Sequence, residues 1–120
     1  MAQLPPEDIA TMPAQKVVFN GPGLEAVTLR VHNAGTRCIG VRISTKGRHL
    51  HTSPKTAVLR GKELLAVFIY WEGEQFGDTK DRMTVEWTNT PDPAATAFKL
   101  EWFQGDGMVR RKNLPNEYNA

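Results

Sequence analysis

AVTLRVH, at residues 26–32, is the stretch that decides the fold. Val27, Leu29 and Val31 fall on one side of an extended chain, and Thr28, Arg30 and His32 on the other. Successive side chains of a β-strand point to opposite faces, so this period of two describes a strand with one face buried. Moving toward the C-terminus, NAGT at 33–36 turns the chain. CIGVRIST at 38–45 then repeats the pattern, with Ile39, Val41 and Ile43 aligned, until Lys46 and Gly47 break it. Toward the N-terminus, NGPG at 20–23 is a turn signal and KVVF at 16–19 a short strand. Residues 1–15 carry Pro5, Pro6 and Pro13. Proline fixes φ and removes a backbone donor, so this segment is expected to be an extended, irregular arm packed on a domain formed by residues 16–120.

Beyond residue 47 the segments stay short. Residues 50–53 and 57–59 are brief strands, and LLAVFIYW at 64–71 is nearly continuous apolar sequence. Eight residues rich in β-branched and aromatic types predict a central buried strand there. In MTVEWT at 83–88, Met83, Val85 and Trp87 align. Phe98, Leu100 and Trp102 alternate with Lys99, Glu101 and Phe103, and GDG at 105–107 predicts a hairpin that returns along residues 108–113. Residues 114–120, with Pro115, are expected to trail over the surface. About seven short strands with turn signals roughly every 8–12 residues, and no helix of three turns, predict an all-β, immunoglobulin-like seven-stranded antiparallel β-sandwich.

The length of 120 residues suits one domain, and 40% apolar with 23% charged residues is the chemistry of a folded core, not of disorder. The lone Cys38 cannot close an internal disulfide, which points to a reducing cytoplasm and to a small buried hydrophobe at that position. The first residues lack the apolar core of a leader, and no apolar run nears the roughly 20 residues of a membrane span. Residues 1–60 carry a net +5 and residues 61–120 a net −3. Such a division permits head-to-tail association if the halves form separate surfaces, and is scattered solvated charge otherwise.

Little in the sequence announces catalysis or a cofactor. His49 and His51 share a strand face but have no third ligand beside them, so no metal or other cofactor is expected. Glu72, Glu74, Asp78 and Asp81 lack the ligand spacing of a calcium loop. No nucleophile elbow, phosphate loop or dinucleotide fingerprint occurs, and an enzyme is not expected. The run Arg110-Arg111-Lys112 is short for a nucleic-acid surface. Arg37, Arg42, Lys46 and Arg48 form a second basic group, a candidate contact for an acidic peptide. Lys16, Val17, Val18 and Phe19, on an edge strand with little charge to blunt pairing, are the candidate self-association contact. Of Trp102 and Phe103, adjacent and therefore on opposite faces of a strand, one is expected at an interface.

Two C-terminal runs resemble the major sperm protein family of nematodes: DRMTVEWTNTP at 81–91, and EWFQGDGMVRRKNLP at 101–115 followed by Glu117-Tyr118-Asn119. Met1-Ala2-Gln3, Pro5-Pro6 with Asp8-Ile9, Val18-Phe19-Asn20 and Ile39-Gly40 carry the likeness over the rest of the chain. The resemblance implies an immunoglobulin-like seven-stranded sandwich and a cytoplasmic, cytoskeletal protein of amoeboid sperm. It implies homodimers that polymerise without nucleotide into filaments driving the pseudopod, and removal of Met1 with acetylation of Ala2. Other sperm cytoskeletal proteins or a receptor are the further partners it implies. The alternative is an adaptor or signalling ligand that binds another protein or an acidic peptide. Ser44 stands where related membrane-contact proteins use a lysine to bind acidic, phenylalanine-containing peptides, and residues 21–27 are shorter than the family's loop.

Overall fold

The computed structural model describes residues 6–20, 26–47, 50–71, 81–104 and 108–119. Among these, nine strands run in chain order: β1 (Ile9–Met12), β2 (Val17–Asn20), β3 (Ala26–Asn33), β4 (Ile39–Lys46), β5 (Leu50–Ser53), β6 (Thr56–Leu59), β7 (Leu64–Trp71), β8 (Arg82–Asn89) and β9 (Arg110–Asn119). They form two sheets, one of four strands in the order β1-β3-β7-β5 and one of five in the order β2-β9-β8-β4-β6. The long strands lie inside each sheet. All four edges, β1, β5, β2 and β6, are four-residue strands.

The core lies between the sheets. Val31 and Leu29 of β3 and Val67 and Ile69 of β7 face Val41, Ile43, Val85 and Trp87 across it, all buried. At about 1.5–3 kcal/mol per fully buried aliphatic side chain, this layer is the main stabilising term. Cys38 is buried at its margin. Asn33, at the end of β3, is 1% exposed and acts as an internal clamp. Its Nδ2 donates to the carbonyls of Arg37 (2.8 Å), Arg60 (3.0 Å) and Leu59 (3.2 Å), and its Oδ1 accepts from the Gly35 amide.

The immunoglobulin-like two-sheet class is the one the alternation predicts, but four local expectations fail. First, the N-terminal arm is not irregular throughout. Ile9–Met12 pairs antiparallel with β3, and Ile9 is buried. With it, the described residues form nine strands where about seven were expected.

Second, residues 98–103 are not a strand. Leu100–Phe103 is a 3-10 turn, η1, in which the Trp102 amide donates to the Lys99 carbonyl. Phe98 meets Trp102 edge-on at 5.7 Å and Phe103 at 5.5 Å. Those contacts need the rings on one side, which a pleated strand cannot give to 98, 102 and 103 together.

Third, the hairpin partner is different. β9 pairs antiparallel with β8 and parallel with β2, so the ladder is not wholly antiparallel. The predicted turn at residues 105–107 lies outside the described residues.

Fourth, residues 114–119 continue β9 into the sheet. Leu114 is fully buried, and Pro115 takes the last rung opposite Arg82.

Candidate self-association surface

The register of the four-stranded sheet sorts its residues by face. Val67, Ile69, Leu29 and Val31 point inward. Leu64, Ala66, Phe68 and Tyr70 of β7, with Thr28 and Arg30 of β3, point to solvent. The nearly continuous apolar run of residues 64–71 is therefore only half consumed by the core. Leu64 is 58%, Phe68 51% and Tyr70 43% exposed, and Met12 on neighbouring β1 is 69% exposed. Among the described residues six large apolar side chains are strongly exposed, and these four share one sheet face. His51 of β5 stacks on Tyr70 at 5.2 Å. Arg30 is the only formal charge on the described outward positions of this sheet.

Sequence reading missed this surface because unbroken apolar sequence reads as a strand buried on both faces. The signal that was available lies in the neighbour. β3 alternates cleanly, so its sheet has one wet face, and every strand paired with it must share that face.

The residues singled out beforehand are distributed differently. Val17 and Phe19 are buried, at 0% and 3% exposure, and fill the core beneath β2. Val18 is half-buried on the other side, and exposed Lys16 pairs with Glu117 at 3.2 Å. What β2 offers outward is its backbone edge away from β9, with Val18 and Lys16 beside it. Among the described residues the arm does not cover that edge, because β1 joins the other sheet.

The described members of the basic group, Arg37, Arg42 and Lys46, are spread along β4. Arg37 precedes β4 and Lys46 ends it, and the strand between them spans roughly 23 Å at 3.3 Å per residue. Arg48, His49 and three of the acids, Glu72, Glu74 and Asp78, lie outside the described residues, as do Met1 and Ala2. Asp81 is buried.

Arg42 is already engaged. It lies on the outer face of the five-stranded sheet, where the register lines up Arg42, Glu86 and Arg111 on three neighbouring strands. Glu86 accepts from Arg42 Nη2 at 3.0 Å and from Arg111 Nη2 at 3.1 Å. Burial pushes the Glu86 carboxyl up. The two guanidinium hydrogen bonds and their charges outweigh that and hold it below the usual carboxylate range. The Arg42 guanidinium also lies over the Phe103 ring at 5.5 Å.

The other basic run is likewise taken up. Arg110 lies over Trp87 at 5.4 Å and donates to the Pro6 carbonyl, and Lys112 Nζ donates to Thr11 Oγ1 at 2.8 Å. Beside η1 a half-open groove of about 790 Å³ is lined by Thr88, Asp92, Lys99, Trp102 and Met108 among others. The ionisable residues of its lining, Asp92, Lys99 and Glu101, are all exposed. No group of three or more His, Cys, Asp or Glu gathers among the described residues.

No helix is long and apolar enough to cross a membrane among the described residues. No protein-family model matches the chain. The chain is 60% identical to major sperm protein 1 of Globodera rostochiensis, over 100% of both chains. It is 52% identical to major sperm protein isoform alpha of Ascaris suum and 51% to major sperm protein 63 of Caenorhabditis elegans, each over 99% of both chains. Among solved structures it is similar to SSP-19, an MSP-domain protein of Caenorhabditis elegans. There the TM-score is 0.74 at 15% identity, covering 92% of this chain and 99% of that one. The periplasmic chaperone YadV superposes with a TM-score of 0.67 at 12% identity, covering 94% of this chain and 52% of that one. Those structural likenesses fix the fold, and the full-length identities fix the family: the chain belongs to the nematode major sperm proteins.

Proposed function

We propose that this chain serves its family's sperm cytoskeletal role by self-association, forming homodimers that join into nucleotide-free filaments in the cytoplasm of the sperm pseudopod. The observation that carries the reading is the 60% identity along the whole of a major sperm protein. The geometry supports it. An outward sheet face rich in large apolar side chains is the kind of surface that docks onto another protein.

A filament needs two contacts, one isologous and closing, the other repeating without closure. The open edge of β2, with Lys16 and Val18, is the candidate repeating contact. Val17 and Phe19 act there only by fixing the strand from below. Met1 removal and Ala2 acetylation complete the reading, and intact mass measures them.

Sedimentation across a micromolar-to-millimolar series tests the function. Dimers at low concentration and larger species at high concentration are expected. A chain that stays monomeric at millimolar concentration overturns the reading.

A further inference from the structure

We propose that the cleft between Arg37 and Arg60, at one end of the sandwich, binds a small molecule that carries a phosphate group. It lies at the β4–β6 side of the five-stranded sheet, opposite β2, and needs nothing from the self-association reading.

Two connections build the cleft. Residues 34–38 link β3 to β4, and residues 60–63 link β6 to β7. Asn33, buried at the end of β3, donates from Nδ2 to the carbonyls of both Arg37 (2.8 Å) and Arg60 (3.0 Å). One amide nitrogen thus fixes the backbones of the two arginines side by side. Backbone bonds tie the same connections together. The Asn33 amide donates to the Glu63 carbonyl at 2.9 Å, and the Lys62 amide donates to the carbonyls of Asn33 and Gly35. Lys62 sits at φ 68°, which residues with a side chain seldom adopt, and these bonds hold it there.

The charge on this rigid floor is unbalanced. Arg37 and Arg60 both line the cleft, both are exposed, and neither forms an ion pair among the described residues. The rest of the lining, Thr36, Cys38, Gly61 and Thr90 among it, is neutral. Glu63, the acid of the same turn, accepts from the Arg60 amide at 2.9 Å and lines a neighbouring depression instead. A recess walled by charge of one sign concentrates counter-ions.

Charge and donor geometry select the ligand. A single guanidinium can satisfy a carboxylate through a two-pronged contact, whereas two of them match a dianion with three terminal oxygens. A phosphate monoester is such a group. The cleft holds about 490 Å³, within the roughly 300–1,000 Å³ of small-molecule sites, so it has room for more than the phosphate. No aromatic ring lines it among the described residues, which leaves a nucleobase nothing to stack on.

The test is amide NMR of the full chain titrated with glycerol phosphate and, separately, with inorganic phosphate, at an ionic strength held constant with chloride. Shifts at Arg37, Cys38, Arg60 and Gly61 are expected to saturate, with the ester binding more tightly than the free ion. R37Q and R60Q are each expected to weaken binding by at least about tenfold in Kd. R30Q, at an exposed arginine of the other sheet, is expected to change nothing. Both cleft arginines are clamped through their carbonyls, so the glutamines keep the Asn33 bonds. Shifts that are absent, that do not saturate, or that survive both substitutions overturn the proposal. If only one substitution weakens binding, the ligand is not held between the two arginines and the proposal falls. Inorganic phosphate binding as tightly as the ester overturns the assignment to an ester and leaves a site for the free ion. The readout is local to the cleft, so the site and the self-association reading fail separately.

Discussion

Trp102 lies directly against Gly40: a Cβ added to Gly40 would come within 2.6 Å of the ring's Cε3 and 2.9 Å of its Cζ3. The bare glycine backbone in β4 is thus the seat of the indole, and η1 is held to the outer face of the five-stranded sheet through that seat. Gly40→Ala is expected to push the ring away and cost about 1–3 kcal/mol, the range for overpacking. In a Trp102→Ala background the same change should cost far less. Urea denaturation of the four chains of that cycle gives the coupling. Equal costs in both backgrounds would show that the ring does not depend on the glycine.

The same pair explains how much of the structure could be read in advance. Residues 26–32, 38–45 and 83–88 announce their strands because a period of two with one apolar face has few other solutions. Residues 98–103 carry the same period and yet form a 3-10 turn. The difference is tertiary: Gly40, just over sixty residues earlier, leaves room for Trp102. Pro115 misled in the opposite direction, since Leu114 and Asn116 on either side of it are buried and keep β9 in the ladder. At the candidate surface, alternation located the wet face of β3. That half of residues 64–71 shares this face follows only once β7 is known to pair with β3.

Asn33 offers a sharper test of the fold. Its amide donates to three carbonyls from two different connections, and its oxygen holds Gly35. Asn33→Asp keeps the shape and the acceptor but removes both donors and adds a buried charge. Asn33→Ala removes the clamp altogether. Leaving buried carbonyls unpaired costs about 1–3 kcal/mol, and the aspartate adds a desolvation cost to that. Asp is therefore expected to be the worse of the two at neutral pH, with the gap closing on acidification as the carboxyl takes up a proton and regains a donor. Thermal melts at pH 7 and pH 4 measure it. An aspartate variant as stable as the alanine one at pH 7 would contradict the geometry.

The Arg42–Glu86–Arg111 row predicts a pH dependence. The folded carboxyl titrates below its unfolded value, so the unfolded state binds more protons as the pH falls. The stabilisation is complete above the ordinary glutamate range and is lost as pH drops through the lower folded value. Both arginines are substantially exposed, at 38% and 62% of their side chains, so solvent screening keeps the effect small. Glu86→Gln is expected to lower stability by about 1–2 kcal/mol at pH 7, and to flatten the loss of stability between neutral and acid pH. Denaturant midpoints for the two chains across that range check both statements. A parallel pair of curves would mean that Glu86 is not the titrating group.

The N-terminal arm is fixed by a few polar contacts whose removal should be legible. Trp87 Nε1 donates to the Glu7 carbonyl at 2.9 Å, Arg110 donates to the Pro6 carbonyl, and Thr36 Oγ1 donates to Glu7 Oε1 at 3.2 Å. Each carbonyl bond contributes on the order of 1 kcal/mol, so the arm opens more readily than the core. Trp87→Phe keeps most of the apolar volume and deletes one donor. It should raise amide exchange at Ala10 and Met12, the β1 residues in the hydrogen-bonded pairs with His32 and Arg30, by roughly an order of magnitude, the factor that about 1.4 kcal/mol gives, before global stability changes by more than the packing loss. Arg110→Gln should act in the same direction by loosening Pro6 and Asp8, the latter held by Arg110 at 3.6 Å. Exchange measured by NMR on both variants decides the matter. Protection at Ala10 and Met12 that follows global unfolding in every variant would mean that β1 is pinned by its ladder to β3 and owes nothing to the indole.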